Sequence, residues 1–148
     1  MERSAFGDWV AVSPYGYYLM LGFHSIGLAM LVGAMMVISL RLLGLLTAID
    51  PRALERLTTF AWWGFWINAL SGVATFFSEA NKMFFDTTFR WKILLVFIGV
   101  AALVIMQRTA LRRIASGGSI TLGARLQGAF SLLVWTAVIV VGRMIAYL

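Results

Sequence analysis

The chain has 148 residues, of which 61% are hydrophobic and only 12% are charged, with a net charge of +6 and no cysteine. A soluble domain of this length could not bury so much apolar surface, and without cysteine it forms no disulfide, thiolate metal site or iron–sulfur cluster. Because the charges flank apolar runs, the basic balance indicates membrane topology and contact with anionic lipid rather than nucleic acid.

Four long uncharged runs follow one another along the chain: Trp9–Leu40, Leu57–Ser78, Ile93–Gln107 and Leu126–Gly142. A helix rises about 1.5 Å per residue, so roughly 20 apolar residues cross a bilayer core of about 30 Å. The first two runs reach that length, and the others reach it if the basic residues at their ends extend to the interface.

These runs predict an all-α polytopic membrane protein with a single domain, residues 1–148. Four transmembrane helices are expected to form a bundle, with spans at about 15–46, 53–77, 89–110 and 125–147. A short N-terminal interfacial segment precedes them and is interrupted at Pro14.

Turn and cap residues divide the predicted helices. Asp50-Pro51 predicts a turn, with the proline in the first turn of the second helix. Asp86 or Thr87 is a candidate N-cap of the third helix, and Ser116-Gly117-Gly118 is expected to close it. The polar segment 78–88 between the second and third helices is expected to lie in the membrane interface.

The distribution of Lys and Arg predicts the orientation of the helices. The first and third connections hold seven arginines: Arg41, Arg52, Arg56, Arg108, Arg112, Arg113 and Arg125. The opposite side holds five Lys and Arg residues: Arg3, Lys82, Arg90, Lys92 and Arg143. We therefore expect a multi-pass protein of the bacterial inner membrane with both termini extracytoplasmic.

His24 is the only histidine and the most informative single residue. It lies eight or nine residues into the first predicted span, roughly 12 Å from the helix start. Ionisable groups at such a depth usually face the interior of a helix bundle. A neutral imidazole there can ligate haem iron, donate to a quinone carbonyl or relay a proton, or it can bond a neighbouring helix in a purely structural role.

Two further cations are expected on the same side of the membrane as His24. Lys92 lies in the opening turns of the third helix, next to Arg90, and Arg143 lies close to the end of the fourth. Together with His24 they suit an anionic ligand, such as the propionates of a porphyrin or a carboxylate of a partner. The alternative is that Lys92 and Arg143 anchor helix ends among the headgroups.

Two ridges of small residues recur every four positions, Ser25-Ala29-Gly33 in the first helix and Gly64-Asn68-Gly72 in the second. Such ridges let helix backbones approach closely, and Asn68 can add an interhelical hydrogen bond. We expect both ridges to pack against another helix, within the bundle or across an oligomer. On a neighbouring face, Gly27 leaves space in which a flat ligand could lie.

The first-helix sequence LGFHSIGLAMLVGAMMVISLRLLG and the third-helix opening FRWKILLVFIGVAAL resemble a superfamily of small bacterial membrane proteins. It includes the four-helix membrane protoporphyrinogen oxidase, which works with haem, the copper-resistance D-type proteins and an uncharacterised four-span family, which matches best. The resemblance implies that His24 and Lys92 correspond to the histidine and lysine that the oxidase needs. Further histidines near the end of the oxidase's third helix are replaced here by aliphatic residues and Gln107-Arg108-Thr109, which counts against oxidase activity itself.

The sequence thus predicts a small haem- or quinone-associated redox subunit involved in electron transfer. His24 is the expected metal ligand of haem b, Lys92 and Arg143 complete the cofactor site, and quinone is the other cofactor considered. The competing interpretation is a non-enzymatic accessory subunit of a larger membrane complex that contacts lipids or pigments. In either case the expected partners are the lipid bilayer and a second copy or a membrane complex, and no residue is assigned as catalytic.

Overall fold

A computed structural model describes Ser13 and residues 15–78 and 87–145 of the chain. The described helices are α1 (Gly16–Leu43), α2 (Pro51–Ser78), α3 (Thr87–Met106), a single π-helical turn (Gln107–Leu111), α4 (Arg112–Ala115) and α5 (Leu122–Ile145). The expected N-terminal interfacial segment, the candidate cap Asp86 and most of segment 78–88 lie outside the described residues. Where it is described, the fold is all-α, as predicted.

Local signals set the ends of the helices. Gly44 ends α1 with a φ of 89°, in the left-handed region that glycine adopts without strain. Asp50 Oδ1 accepts a hydrogen bond of 2.7 Å from the backbone N–H of Arg52 and so caps α2, which begins at Pro51. Gly117, with a φ of 82°, follows the end of α4. The predicted turn at Asp50-Pro51 and the predicted closure at Gly117 are confirmed.

α1 lies at the centre of the packing. Its close neighbours are α2 and α5. α3 packs against α5. The contacts of α2 with the continuous helical segment formed by α3, the π turn and α4 are mainly with the π turn and α4. The core lies between these helices and contains side chains that are almost fully buried: Leu31, Met35, Ile38, Leu42, Leu54, Leu103, Met106, Trp135 and Val138.

Glycine brings α1 and α2 into backbone contact. A Cβ on Gly27 would lie 2.5 Å from the backbone nitrogen of Asn68, and one on Gly64 would lie 2.6 Å from that of Leu31. The second-helix ridge therefore packs as predicted, against the Gly27 face of α1. Because α2 covers Gly27, the idea of a flat ligand above that glycine is wrong.

The first-helix ridge behaves differently from the prediction. Ser25, Ala29 and Gly33 are exposed, and a Cβ on Gly33 would meet nothing within 4 Å. The ridge therefore does not pack within the described bundle, and of the two expected partners only a helix across an oligomer stays a prediction. The physical reason is that the helix rotates its Gly27–Leu31 face, which combines a glycine with large aliphatic residues, towards α2 and the core.

Among the described residues, three helical segments are long and apolar enough to cross a membrane: Gly16–Leu43, Thr87–Ala115 and Leu122–Met144. Their outer surfaces are apolar, with Phe97 69% exposed and Leu133 71% exposed, as lipid contact requires and water does not favour. α2 has 28 residues but is not among the three, because Trp, Thr, Ser and Asn side chains dilute its aliphatic ones. The described fold is that of a helical membrane protein with three candidate spans rather than a demonstrated four.

Candidate functional site at His24 and Lys92

His24 lies in the third turn of α1 and faces α2. It follows the first helical residue by eight positions, about 12 Å along the axis, and its side chain is half-buried. The imidazole lies against Gly72 of α2, where a Cβ would be 3.2 Å from Cε1 and 3.4 Å from Nδ1. The missing side chain at position 72 therefore makes the space that the ring occupies.

Nδ1 of His24 is bound to a backbone carbonyl. It lies 3.0 Å from the carbonyl oxygen of Asn68, and because a carbonyl only accepts, Nδ1 carries the proton of the neutral ring. The hydroxyl of Ser71 lies 3.3 Å from the same nitrogen and donates its own proton to the carbonyl of Ile67. Nε2 is therefore the nitrogen whose lone pair is available to a donor or a metal.

Lys92 of α3 supplies a donor to that lone pair. Its Nζ lies 3.4 Å from Nε2 of His24. The side chain runs alongside Gly142 of α5, where a Cβ would lie 3.6 Å from Cε. The two residues, called the His–Lys pair below, thus connect α1 and α3, with α2 and α5 supplying the glycines on either side.

Asn68 fixes the height of His24 relative to α2. Its side-chain Nδ2 donates a hydrogen bond of 2.9 Å to the backbone carbonyl of His24, while the backbone carbonyl of Asn68 accepts from the imidazole. The interhelical hydrogen bond expected of Asn68 is confirmed. One turn away, the Gly27–Gly64 contact holds the two backbones together, so the imidazole has little freedom to rotate.

Arg143 stands apart from the His–Lys pair in its exposure. It follows Gly142, the residue against which Lys92 lies, but its own side chain is exposed. Arg90 is exposed as well. Of the expected cationic group, the structure brings His24 and Lys92 into direct contact and places Arg143 one residue beyond the glycine that Lys92 touches.

The residues around the His–Lys pair limit which metal groups could bind there. Among the described residues, no group of three or more His, Cys, Asp or Glu side chains could hold a metal ion. For haem iron, His24 would supply the one imidazole ligand of the chain through Nε2, since Nδ1 is already bound to a carbonyl, as is common in metal-binding histidines. Lys92 faces that same nitrogen, so iron could bind only after Lys92 turned away.

Sequence reasoning placed His24 and Lys92 at a similar depth, but it predicted neither their direct contact nor the contacts of His24 with α2. Ser71 and the backbone carbonyl of Asn68 were not predicted to contact His24. Ser71 lies three residues after Asn68 and one before Gly72, on the helix face that the small-residue ridge already indicated. The position of Ser71 beside the Gly64-Asn68-Gly72 ridge was the signal that could have identified it as a neighbour of His24.

Comparisons of the chain with protein-family models, with curated proteins and with solved structures gave no match. The class of protein therefore rests on the chain itself. It is an all-α membrane protein whose interior contains a histidine bonded to a lysine of another helix.

Proposed function

We propose that the protein is a small redox-cofactor-binding subunit of a bacterial inner membrane, in which the His–Lys pair holds a quinone or haem b. One observation carries the proposal: the imidazole of His24 is anchored through Nδ1 and presents Nε2 to Lys92 inside the helix bundle. Groups of this kind are costly to desolvate, and polar residues within a membrane usually face a ligand, a proton path or a partner.

For a quinone, the pair supplies hydrogen-bond donors and a proton. The Nζ of Lys92 has three N–H bonds and uses one towards His24, so it can donate to a carbonyl oxygen without breaking the pair. Lys92 would also be the proton donor to the reduced quinone oxygen, and the transfer would leave a neutral amine beside the neutral imidazole. When bound, the quinone would supply two-electron redox chemistry.

For haem b, Nε2 of His24 would hold the iron, and Lys92 would have to leave Nε2, after which it could bind a propionate. Arg143, one residue beyond Gly142, is the second cation available to a propionate. Because the chain has one histidine, a second histidine ligand could come only from a second copy or from a partner chain.

We further propose that α2 is a fourth span. Two observations support this proposal: α2 packs closely along α1, itself a candidate span, and the Gly27–Gly64 contact joins a residue near the middle of α2 to one near the middle of α1. An even number of spans would put both termini on one side, and the arginine-rich connections favour the extracytoplasmic side for them.

A second candidate function is that of an accessory subunit without a cofactor. One observation favours it: both ring nitrogens of His24 already have partners within the chain. In that case the His–Lys pair connects two helices and stabilises the bundle.

The two functions are separated by cofactor content. Purified protein is examined by absorption spectroscopy for a Soret band and by solvent extraction for quinone, in the parent chain and in His24→Ala, Lys92→Ala and the control Arg113→Gln, which changes an exposed cation on α4. The redox function predicts stoichiometric cofactor in the parent and the control, and loss in both site variants. A parent protein without cofactor, or equal content in all four proteins, contradicts it.

A further inference from the structure

A polar groove lies at the opposite end of the bundle from the His–Lys pair. Its walls come from α2 and from the segment around the π turn, and its volume is about 260 Å³. Its lining includes the side chains of Glu55, Thr58, Thr59, Gln107, Leu111 and Arg112. We call it the π-turn groove.

The polar groups of the groove differ in what they can still bind. Thr58 and Thr59 donate their hydroxyl protons back to carbonyls of their own helix. Gln107 accepts through Oε1 from the indole N–H of Trp62 at 3.4 Å, which leaves its amide N–H groups as donors. The groove therefore offers amide donors on the side of the π turn.

Charges of opposite sign stand on the two walls. Glu55 belongs to α2 and Arg112 to α4, both side chains are exposed, and in the described part of the chain no ion pair joins them to each other or to another residue. A carboxylate and a guanidinium that line one groove without pairing suit a ligand with a cationic and an anionic group.

The π turn is what gives the groove its donor. It spans Gln107–Leu111, and within it Gln107 accepts from Trp62 of α2, while the hydroxyl of Thr109 donates to the carbonyl of Ile105 at 2.7 Å and lies 3.1 Å from Oε1 of Gln127 of α5. π turns are rare within α-helices and occur often at functional sites. The π turn therefore contributes polar side chains such as Gln107 to the groove besides its effect on packing.

The groove lies at the level where the apolar part of the third helical segment ends. Arg108, Arg112 and Arg113 follow the last long apolar stretch, and all three side chains are exposed. Guanidinium groups in this position reach the phosphate layer of a bilayer.

We infer that the π-turn groove binds the headgroup of a phospholipid with a primary ammonium group, of the phosphatidylethanolamine type. Arg112 and the amide of Gln107 bind the phosphate, and Glu55 accepts hydrogen bonds from the ammonium. The carboxylate disfavours a purely anionic headgroup such as phosphatidylglycerol. A choline headgroup has no N–H to donate, so it cannot replace the ammonium at Glu55.

The test compares lipids with identical acyl chains on the full chain in detergent, by native mass spectrometry. Phosphatidylethanolamine is expected to bind about tenfold more tightly than phosphatidylcholine, as one hydrogen bond to a charged group implies. Glu55→Gln should abolish that preference and Glu55→Asp should retain it. Arg112→Gln should weaken binding of all phospholipids, whereas the control Arg113→Gln, outside the groove, should leave the preference unchanged.

Two results overturn the inference. Phosphatidylglycerol binding as tightly as phosphatidylethanolamine would mean that the arginines act as a general basic surface. A preference for phosphatidylethanolamine that persists in Glu55→Gln would place the recognition elsewhere. Neither result bears on the His–Lys pair, which lies at the other end of the helices.

Discussion

Lys92 Nζ lies 3.4 Å from Nε2 of His24, so the only histidine of the chain meets the only lysine in the described residues. Two full positive charges at that distance would repel by about 5 kcal/mol in an effective dielectric of about 20. The pair is therefore stable when the imidazole is neutral and accepts from the lysine. That arrangement requires Nδ1 to be the protonated nitrogen, which is what its contact with the carbonyl of Asn68 provides.

The tautomer of His24 can be observed without ambiguity. Because the chain has one histidine, a ¹⁵N-histidine label reports on that ring alone. We expect a protonated Nδ1 and an unprotonated, hydrogen-bonded Nε2. Lys92→Met should shift the Nε2 resonance towards the value of a free lone pair and leave Nδ1 nearly unchanged. A proton on Nε2 in the parent protein would contradict the assigned hydrogen bonds.

Asn68→Ala tests the other half of the α1–α2 connection. The change removes the donor to the His24 carbonyl but keeps the backbone carbonyl that accepts from Nδ1. Interhelical hydrogen bonds in membranes contribute about 0.6 kcal/mol on average. We therefore expect a small loss of thermal stability in detergent and an unchanged tautomer. A changed tautomer would show that the side chain, and not the carbonyl, orients the ring.

Gly27 and Gly33 form a matched pair on one helix. A Cβ on Gly27 would meet backbone atoms of α2, whereas one on Gly33 would meet nothing within 4 Å. Gly27→Ala should therefore separate the helices and destabilise the protein by about 1–3 kcal/mol, as overpacking does. Gly33→Ala should leave stability unchanged or slightly higher, since alanine favours helix. Melting temperatures of the two variants in the same detergent provide the comparison.

The two ridges of small residues show how far the helix packing could be predicted from the sequence. The every-fourth-residue spacing of small side chains identified close packing, and for Gly64 and Asn68 it identified the correct face. The same spacing holds for Ser25, Ala29 and Gly33, which are exposed. The spacing identifies the face of a helix on which small residues lie, but it does not show whether that face points into the bundle or outward. That depends on which face of the helix buries more large side chains.

The candidate site was predictable to a similar extent. Helix rise and chain direction placed His24 and Lys92 at one level, since both are counted from helix starts on the same side. Their direct contact depends on the rotation of α1 and α3 about their axes, which no local signal specifies. The π turn at Gln107 was not predicted either, because its residues have no composition that separates them from an α-helix.

Ser131 provides a test of an uncompensated polar group. Its hydroxyl is fully buried in α5 and has no hydrogen-bond partner within the described protein, unlike Ser71, which donates to Ile67 at 2.6 Å. An unsatisfied buried group costs about 1–3 kcal/mol. Ser131→Ala should therefore raise the melting temperature, and Ser71→Ala should not. A marked loss of stability in Ser131→Ala would indicate that the hydroxyl has a partner such as an internal water.

The number of spans determines on which side the chain ends lie. If α2 crosses the membrane with α1, α3 and α5, both termini are on the same side. If only the three most apolar segments cross, they are on opposite sides. A green fluorescent protein fused after Leu148 or before Met1 fluoresces only in the cytoplasm, so four spans with extracytoplasmic ends predict that both fusions are dark. A fusion in the loop at Ala48 should be bright.

The charge rule predicts how this topology can be weakened. Replacing Arg108, Arg112 and Arg113 by Gln removes three of the seven arginines on the predicted cytoplasmic side and leaves the five Lys and Arg residues of the other side in the majority. We expect the triple variant to give a bright C-terminal fusion in part of the population. One bright and one dark terminus in the parent chain would exclude an even number of spans.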